Sequence, residues 1–598
     1  MKLVTFVEND HERFGMVLAH PAFAEEWVFD PNLVQERLAL YASRGTSPLN
    51  ANPPRFFEQE LPDDLVDFLA LGEDAFEALR RMHDFLQRFL EQADQYILLG
   101  AGFPLAEVKL RAPIPRPRLF FGLVQNSPTA WRSRPQRTHL NLFPQGHQRP
   151  QSAVIGPGDP IVMPESAHME GGWNPELGVI IGRGGKDIPV EDAMSYVAGL
   201  TIVSDVTYDY FRQDYLAQEP PLDWFEDAMA SWGDKKSDGR TPMGPYLVTM
   251  DEIGNPYDLL IYTRQSGLLR DRSHTGAMAL GIERTIHWLS TYMTLYPGDV
   301  IHMGTMGYDG SPHLPGFIPG EDDLIESEIE KLGVLRNPMV FEAPQHDWRD
   351  DSDLSVAIHP APAIRDIIQH GQESITVDTW SVEKIKHAWL NFGNYAEAEA
   401  QEGMVTRPYS RFLCAPNTVI AAANEGDIVI PADAGEIWLG CELAFVVASI
   451  THRIAPEDAP NHILGYLPLL SVYDTCFEDA VIEPASMQER NLPKVYGRWR
   501  DGFNRVGQLQ ATDYPQAATC RLALADVGQI EGSTGEYIYD AAAILAYMSR
   551  HITLFPGDVI SLGRQAQRLA VPKGTQAAGL AEIDGLGNVP FQIQDMRP

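Results

Sequence analysis

The sequence has few cysteines, few basic residues and no long apolar run. Its 598 residues include four cysteines and no Cys-x-x-Cys pair, which excludes a disulfide framework and argues against a structural zinc site. Lys and Arg together number 46 against 82 Asp and Glu, for a net charge of −36 at pH 7. A chain this acidic repels phosphate backbones and anionic lipid surfaces. We therefore expect no nucleic-acid partner and no membrane partner.

The N-terminal segment, MKLVTFVEND, has none of the features of a secretory signal. It reaches acidic side chains within its ten residues and contains no apolar core. No run of about 18 apolar residues occurs in the chain, so the sequence predicts no membrane-spanning helix. The few cysteines are typical of small buried side chains in a reducing compartment. From these features we expect a cytoplasmic protein.

The chain does contain enough hydrophobic sequence, 44% of its residues, for a large core. From about residue 119 onward, short apolar runs such as ELGVIIG, TIVSD and YLVTM are separated by Gly and Pro. This pattern predicts an α+β fold that is mostly β. Before it, apolar residues at three- and four-residue spacing predict a helical stretch over 65–98.

An internal repeat sets the domain organisation. The run LSTYMTLYPGDVIHMG at 289–304 reappears as MSRHITLFPGDVISLG at 548–563. Likewise PELGVIIGRGG and the sequence after it, 175–199, reappear at 441–465 in the same order. Repeats that keep their order indicate duplicated domains. We predict a small N-terminal domain over 1–111 and two homologous β-rich domains over 112–344 and 345–598.

These repeats resemble the fumarylacetoacetate hydrolase superfamily. The resemblance is carried by GPGDPIVMP, PELGVIIG, VAGLTIVSDVT, LYPGDVIHMGTMG and the closing EDDLIESEIEKLGVLRNP. It implies two tandem domains with the family's mixed β-roll fold and a divalent metal, Mg²⁺ or Mn²⁺. It also implies a β-diketone or a 2-oxo acid as the small-molecule substrate. Tandem copies are similar to the two-domain isomerase and decarboxylase members of aromatic catabolism.

The resemblance implies a set of metal ligands in the first repeat. The family's Glu-x-Glu pair reads Asn174-Pro175-Glu176 here, and the family's aspartate is Asp205 in IVSDVT. Alternate residues of a strand share one face, so both members of the pair can reach the same ion. The amide oxygen of Asn174 is a weaker ligand than a carboxylate, and Glu170 is a candidate to complete the set.

Catalytic residues follow from the same resemblance. Lys235 matches the family lysine that orders the site. The family's catalytic histidine segment is altered here, because Pro128 stands at its position in GLVQNSP. His139 and His147, in the stretch that follows, are therefore the candidate bases, and either can serve if the stretch closes over the site.

Four further residues are predicted to bind the substrate. Gly304 and Thr305 match the Gly-Thr that binds the substrate carboxylate in the family. Arg149, followed by Pro150, fits the family's Lys-Pro and can bind a carboxylate through its guanidinium. Asp238 matches the acid three residues after the family lysine.

The second repeat retains less of this set. Glu442 remains, but Gly440 stands in place of its partner, and an ungapped alignment puts Ser471 at the Asp205 position. Gly304-Thr305 becomes Gly563-Arg564. We interpret this copy as having lost its metal. Its expected role is to pair with the first repeat as an internal pseudo-dimer, as identical subunits pair in family dimers, and pairing of two chains into a homodimer stays open.

The leading functional hypothesis is a metal-dependent enzyme that hydrolyses a C–C bond of an acylpyruvate or β-diketone through a metal-bound enolate. Decarboxylation or tautomerisation of a 2-oxo-enoate uses the same enolate and cannot be separated from hydrolysis by sequence. A third hypothesis, from another class, is a degenerate scaffold or a small-molecule-binding protein without catalysis.

Overall fold

The computed structural model describes most of the chain. The described residues are 1–20, 25–43, 54–92, 100–124, 126, 146–164, 172–207, 234–306, 320, 322–342, 374–395, 404, 411–479, 494–565 and 567–598. Among the predicted site residues, His139 and Glu170 lie outside them.

The described part of residues 1–111 forms strands and helices that flank the first repeat. The strands are β1 (Lys2–Glu8), β2 (His11–His20), β3 (Glu25–Phe29), β4 (Gly102–Pro104) and β5 (Lys109–Leu110); the helices are α1 (Pro31–Ser43), α2 (Leu65–Ala70) and α3 (Glu73–Gln92). The predicted helical stretch is thus two helices, because Gly72 between them adopts a φ of +86°. Glycine takes this left-handed conformation without steric cost, which ends a helix.

The N-terminal strands are continuous with the sheet of the first repeat. Strand β1 pairs antiparallel with a strand of that repeat through Lys2↔Val248 and Leu3↔Leu247. The amino group of Met1 also lies 2.7 Å from the Glu252 carboxylate. The N-terminal region therefore extends the first repeat's sheet, and the boundary near residue 111 stays a prediction.

The first repeat contains twelve described strands. They are β6 (Phe120–Leu123), β7 (Gly146–Gln148), β8 (Val154–Ile155), β9 (Ile161–Pro164), β10 (Gly172–Ile181), β11 (Val197–Thr207), β12 (Thr241–Thr249), β13 (Leu260–Gln265), β14 (Leu268–His274), β15 (Val300–His302), β16 (Leu324–Ile329) and β17 (Gly333–Glu342). Its α-helices are α4 (Met250–Ile253) and α5 (Ile282–Tyr292), and 3₁₀ turns cover Gln151–Ala153, Val190–Tyr196, Asp234–Lys236 and Thr275–Ala277.

The second repeat is built in the same way. Its described strands are β18 (Ala388–Phe392), β19 (Arg411–Ala415), β20 (Ile420–Ala422), β21 (Ile428–Ile430), β22 (Ile437–Val447), β23 (Ile463–Asp474), β24 (Asn504–Val506), β25 (Thr519–Leu524), β26 (Gly528–Ser533), β27 (Val559–Ser561), β28 (Leu569–Val571), β29 (Gln576–Ile583) and β30 (Gly587–Asp595). Its α-helices are α6 (Cys476–Asp479) and α7 (Ala541–Ser549), and 3₁₀ turns cover Val377–Thr379, Val382–Lys384, Asn417–Val419, Ala459–His462 and Thr534–Glu536.

Strand order shows that the two repeats share one fold. The larger sheet of the first repeat runs β12-β11-β10-β15-β6-β7, and that of the second runs β24-β23-β22-β27-β18-β19. The smaller sheets run β14-β13-β16-β17-β9 and β26-β25-β29-β30-β21. Each strand in these orders has a counterpart in the other repeat, whereas β28, which pairs with β22, has none among the described residues of the first. The predicted mostly β fold with tandem domains is confirmed, while the exact seam at 344/345 stays a prediction.

The two repeats pack against each other with equivalent contacts on both sides. Thr553 donates through Oγ1 to Asp238 at 2.7 Å, and Thr294 donates to Asp501 at the same distance. The motif SDG at 237–239 aligns with RDG at 500–502, and LSTYMTL aligns with MSRHITL, so each of these pairs is the other's counterpart. Such reciprocal contacts define a two-fold interface between like subunits. The chain therefore contains an internal pseudo-dimer.

Aromatic side chains fill the interface. Trp499 of the second repeat is 1% exposed and lies edge-on to Phe121 of the first, with ring centroids 6.1 Å apart. Beside it, Tyr496 receives a hydrogen bond at 2.8 Å from the backbone N–H of Gly146. One hydrophobic cluster contains buried residues of both repeats. Among the described residues, no helix is long and apolar enough to cross a membrane.

A buried lysine also lies at this interface. Lys236 is 2% exposed and is electrostatically coupled to Cys414 of the second repeat. Burial lowers the pKa of Lys236 to about 7. Between about pH 7 and pH 10.5 Lys236 therefore holds more protons in the unfolded chain than in the folded chain, and its contribution to the stability of the fold rises with pH across this window.

We expect Lys236→Met to stabilise the chain at pH 7, by about 1 kcal/mol or more, because it removes a buried ammonium and keeps the apolar stem. The gain should shrink as the pH approaches 10. Urea unfolding of both proteins at pH 7, 8.5 and 10 measures this difference. Lys573→Met, at an exposed lysine, is the control and should show no such trend. An equal effect of Lys236→Met at every pH would contradict the assignment.

Candidate functional site

Strands β10 and β11 bring the predicted metal ligands onto one face of the sheet. Asn174 pairs directly with Asp205, and Glu176 pairs with Val203. Because side chains alternate along a strand and paired residues share a face, Asn174, Glu176 and Asp205 project to the same side. Glu176 and Asp205 are diagonal neighbours, within reach of a common ion.

Asp205 is a buried carboxylate held by two cations. Lys235 Nζ lies 2.5 Å from Oδ2, and Arg149 donates through Nη2 to Oδ1. Burial alone would raise the pKa of Asp205, but Lys235 and Arg149 outweigh it and hold the pKa well below its usual range. Asp205 is therefore ionised throughout the pH range of ordinary enzymes, as a metal ligand must be.

Arg149 and Lys235 differ in how they are fixed. The Arg149 side chain is fully buried and also donates through Nη1 to Thr241 at 2.7 Å, whereas the Lys235 side chain is 12% exposed. Arg149 thus holds Asp205 from within the protein. Lys235 lies on the side that retains some access to solvent. The predicted contact of Arg149 with a substrate carboxylate stays a prediction.

Glu176 is anchored by groups at the end of strand β15. Its side chain is 1% exposed, Oε2 pairs with His302 Nδ1, and Oε1 accepts a 3.2 Å hydrogen bond from Thr305 Oγ1. Gly304, just before Thr305, adopts a φ of +76° and approaches the backbone of β6 closely. This turn delivers the Thr305 side chain to Glu176.

Two histidines lie behind the carboxylates. Burial, together with the nearby charges of Arg149 and Lys235, holds the pKa of His147 well below its usual range. Burial also lowers the pKa of His302, although the Glu176 carboxylate opposes this shift. Both imidazoles are therefore neutral at pH 7. Their ring centroids are 6.2 Å apart, so His147 belongs to this cluster even though its predicted role as a base stays a prediction.

The donor set fits a hard divalent cation. Magnesium is commonly bound by one or two carboxylates together with waters and substrate oxygens, and Glu176, Asp205 and the half-buried Asn174 amide supply that chemistry. Among the described residues, no cluster of three or more His, Cys, Asp or Glu side chains suited to a metal occurs. This agrees with the replacement of the family's first glutamate by Asn174.

Asp238 is placed differently from the other predicted site residues. Its carboxylate accepts from the Thr553 backbone N–H at 2.9 Å and lies 3.3 Å from His452 Nδ1. Both partners belong to the second repeat. The structure therefore gives Asp238 a contact between the repeats, and its predicted contact with substrate stays a prediction.

Sequence reasoning did not single out His302, whose imidazole the structure places against Glu176. His302 lies in β15, which pairs with β10 through Gly178↔His302, so it reaches Glu176 across the sheet. A small neighbour makes room for its ring. A Cβ at Gly122, the residue paired with His302 in β6, would lie 2.0 Å from Nε2. The repeat alignment pairs His302 with Ser561 in an otherwise similar motif. This difference was the signal that could have singled out His302.

The second repeat places different side chains in the same register. Gly440 pairs with Ser471 as Asn174 pairs with Asp205, which confirms the ungapped alignment. Glu442 is buried and lies 3.1 Å from the Arg498 guanidinium. It also accepts a hydrogen bond from Ser561 Oγ. The cation that corresponds to Lys235 therefore neutralises Glu442 itself.

Comparison with known proteins identifies the family. The sequence model described as fumarylacetoacetate (FAA) hydrolase C-terminal matches this chain twice, over residues 121–340 and 384–593. The chain belongs to the fumarylacetoacetate hydrolase family. The two matches also agree with the two copies of the fold.

Curated relatives of the chain are enzymes. The mitochondrial oxaloacetate tautomerase FAHD2B of Bos taurus is 33% identical over 310 residues, which cover 52% of this chain and 89% of the relative. The 2,4-didehydro-3-deoxy-L-rhamnonate hydrolase of Sphingomonas sp. (strain SKA58) is 33% identical over 203 residues, 34% of this chain and 65% of the relative. The prediction that this family member is an enzyme is thereby confirmed.

Solved structures to which this chain is similar include a maleylpyruvate hydrolase from Sphingobium sp. SYK-6 in complex with manganese(II) and pyruvate. It is 24% identical, covers 57% of this chain and 99% of its own, and superposes with a TM-score of 0.38. A likeness at this level adds nothing on function.

The two repeats place different residue pairs at the position of His302, and this difference allows a test of how His302 is packed. The first repeat pairs His302 with Gly122, whereas the second pairs Ser561 with Leu390. We expect Gly122→Leu to destabilise the chain by about 3 kcal/mol, because the new side chain overlaps the His302 ring. His302→Ser in the same chain should recover most of that loss.

Urea unfolding of the wild type, both single variants and the double variant measures this coupling. We expect a coupling of at least about 1 kcal/mol, with the double variant more stable than Gly122→Leu alone. Additive losses in the double variant would show that the two positions do not share one packing site.

Proposed function

We propose that the first repeat catalyses metal-dependent keto–enol tautomerisation of a small 2-oxo acid. The observation that carries this proposal is the pairing of Asp205 with Lys235 beside Glu176 on one sheet face. Two carboxylates suited to a hard cation stand next to a lysine that can carry a proton. The curated oxaloacetate tautomerase relatives, which match over 310 residues, support a 2-oxo dicarboxylic acid as substrate.

Glu176, Asp205 and the Asn174 amide would hold the metal, with Mg²⁺ or Mn²⁺ as the proposed ion, and Glu170 remains a candidate fourth ligand. A bound divalent metal would polarise the substrate carbonyl and stabilise negative charge on its oxygen. The charges of this chain suit that role. The negative charges of Asp205 and Glu176 are offset by the positive charges of Lys235 and Arg149. The two positive charges of a bound ion would therefore be available to balance negative charge on the substrate.

In the enol-to-keto direction, the Lys235 ammonium would donate a proton to the substrate carbon, and the amine left behind would take the proton of the enol oxygen. The Lys235 side chain is the partly accessible partner of Asp205, and its Nζ lies 2.5 Å from Oδ2. Asp205 thus keeps the ammonium at the open side of the site. Arg149, held by Thr241, fixes the other oxygen of Asp205 and so keeps the carboxylate oriented.

The Gly304-Thr305 turn would receive the substrate carboxylate. Thr305 Oγ1 already lies 3.2 Å from Glu176, next to the proposed metal position. The hydroxyl can exchange this contact for a substrate oxygen, because a hydroxyl group donates one hydrogen bond and accepts others.

Hydrolysis of a C–C bond, which the sequence places first, is the second candidate. It requires a base that activates water, in addition to the groups that stabilise the enolate. Of the two histidines proposed for that task, His147 is a weak base, because burial and the charge of Arg149 hold its pKa well below the usual range, and His139 lies outside the described residues. The described groups therefore favour tautomerisation. Decarboxylation would draw on the same enolate.

A cytoplasmic location and a role in the breakdown of aromatic compounds complete the proposal. The curated tautomerases quoted above carry the designation mitochondrial. Location is therefore a question that cell fractionation should settle for this chain.

The test follows the loss of enol absorbance in freshly prepared oxaloacetate, with the full chain loaded with Mg²⁺ or Mn²⁺. We expect Glu176→Gln to abolish the enzymatic rate and Lys235→Met to lower kcat by about 100-fold or more, the usual contribution of a proton-transfer group. Glu457→Gln and Lys573→Met, at exposed positions, are the matched controls.

The same proteins are then assayed for pyruvate release from an acylpyruvate. Cleavage without tautomerisation, with the same sensitivity to Glu176→Gln, would replace the first candidate by the second. Neither activity in metal-loaded wild-type protein would contradict the proposal and favour a binding protein or scaffold.

A further inference from the structure

The second repeat retains a cavity at the position that corresponds to the metal site of the first. Its volume is about 410 Å³, within the range of small-molecule pockets. It is lined by side chains of strands β22 and β23, of the turn after β27 and of the segment before β24, and they include Glu442, Ser471, Arg564 and Arg498. These are the counterparts of Glu176, Asp205, Thr305 and Lys235.

Substitutions between the repeats make this cavity more positive. Asp205 becomes Ser471, which removes a carboxylate, and Thr305 becomes Arg564, which adds a guanidinium. The turn that carries these side chains has a similar backbone conformation in both repeats. Gly563, before Arg564, adopts a φ of +98°, and Gly304, before Thr305, adopts a φ of +76°. Arg564 therefore enters the cavity from the turn that delivers Thr305 in the first repeat.

The remaining carboxylate in the floor of the cavity is neutralised by the protein itself. Glu442 lies 3.1 Å from the Arg498 guanidinium and accepts a hydrogen bond from Ser561. Arg498 is in turn fixed by Asn504 Oδ1, which accepts from its Nε at 3.1 Å. A cation of the protein thus lies against Glu442, and Gly440 and Ser471 provide no carboxylate to bind a metal.

The wall of the cavity combines aromatic rings with a second arginine. The Arg568 guanidinium lies 4.1 Å from the centre of the Trp438 ring, both of which line the cavity. Stacking on an indole reduces the entropy lost when a guanidinium binds a ligand. Tyr473 and Phe392 add further ring surface.

We propose that the second repeat binds a small organic carboxylate in this cavity without a metal, through Arg564 and Arg568. A guanidinium binds a carboxylate with two parallel hydrogen bonds. The cavity also contains Glu436 and Glu478, whose negative charges oppose any dianion, so the ligand has to be held by the arginines. Arginine charge would replace the divalent ion as the partner of the ligand. This site is separate from catalysis in the first repeat, and the proposal does not depend on the proposed function.

The test is titration calorimetry of oxalate into the full chain in EDTA, which leaves the first repeat without metal. We expect one saturable site per chain. Arg564→Thr, which installs the residue of the first repeat, and Arg568→Ala should each weaken oxalate binding by about tenfold or more. Arg521→Ala, at an arginine outside the cavity, is the control. Lys235→Met shows whether oxalate binds in the first repeat instead. Arg521→Ala and Lys235→Met should each bind oxalate as tightly as the wild type does.

Unfolding midpoints of all variants are measured in parallel, so that only folded proteins are compared. No saturable binding in wild-type protein would overturn the proposal. The proposal would also be overturned if Lys235→Met abolished oxalate binding while Arg564→Thr and Arg568→Ala retained it. The ligand would then occupy the first repeat. Inorganic phosphate that binds as tightly as oxalate, with the same dependence on the two arginines, would overturn the preference for a carboxylate.

Discussion

The antiparallel pairing of β10 with β11 is the constraint on which the site depends. It sets Asn174 opposite Asp205 and places Glu176 on the same face. Buried carboxylates are stable only when they are compensated, and Lys235, Arg149 and the His302 imidazole provide that compensation. The first repeat thus keeps two carboxylates in its interior beside two cations that balance their charge.

The second repeat solves the same physical problem in another way. Its strands pair in the same register, but Asp205 is replaced by Ser471, and the carboxylate that corresponds to Glu176, Glu442, is neutralised directly by Arg498. One fold therefore supports a site suited to a cation in one copy and a site suited to an anion in the other. Meanwhile the reciprocal contacts of Asp238 and Asp501 keep the copies together.

Sequence reasoning recovered what depends on order along the chain, and it missed what depends on contacts between distant strands. The repeats, the family and the Ser471 position followed from aligned motifs. The partnership of Glu176 with His302 did not, because 126 residues separate them and the sheet order that joins their strands is not visible in sequence. For the same reason, Asp238 reads as a site residue in sequence, although its contacts lie across the repeat interface.

The central claim is that one repeat is built for a metal and the other is not. Equilibrium titration of the full chain with Mn²⁺, with free ion followed by electron paramagnetic resonance, tests it most directly. The account predicts one bound ion per chain, lost in Asp205→Asn and retained when Glu442 is changed to Gln. Two ions per chain, or a single ion that disappears with the Glu442 substitution and not with Asp205→Asn, would contradict it.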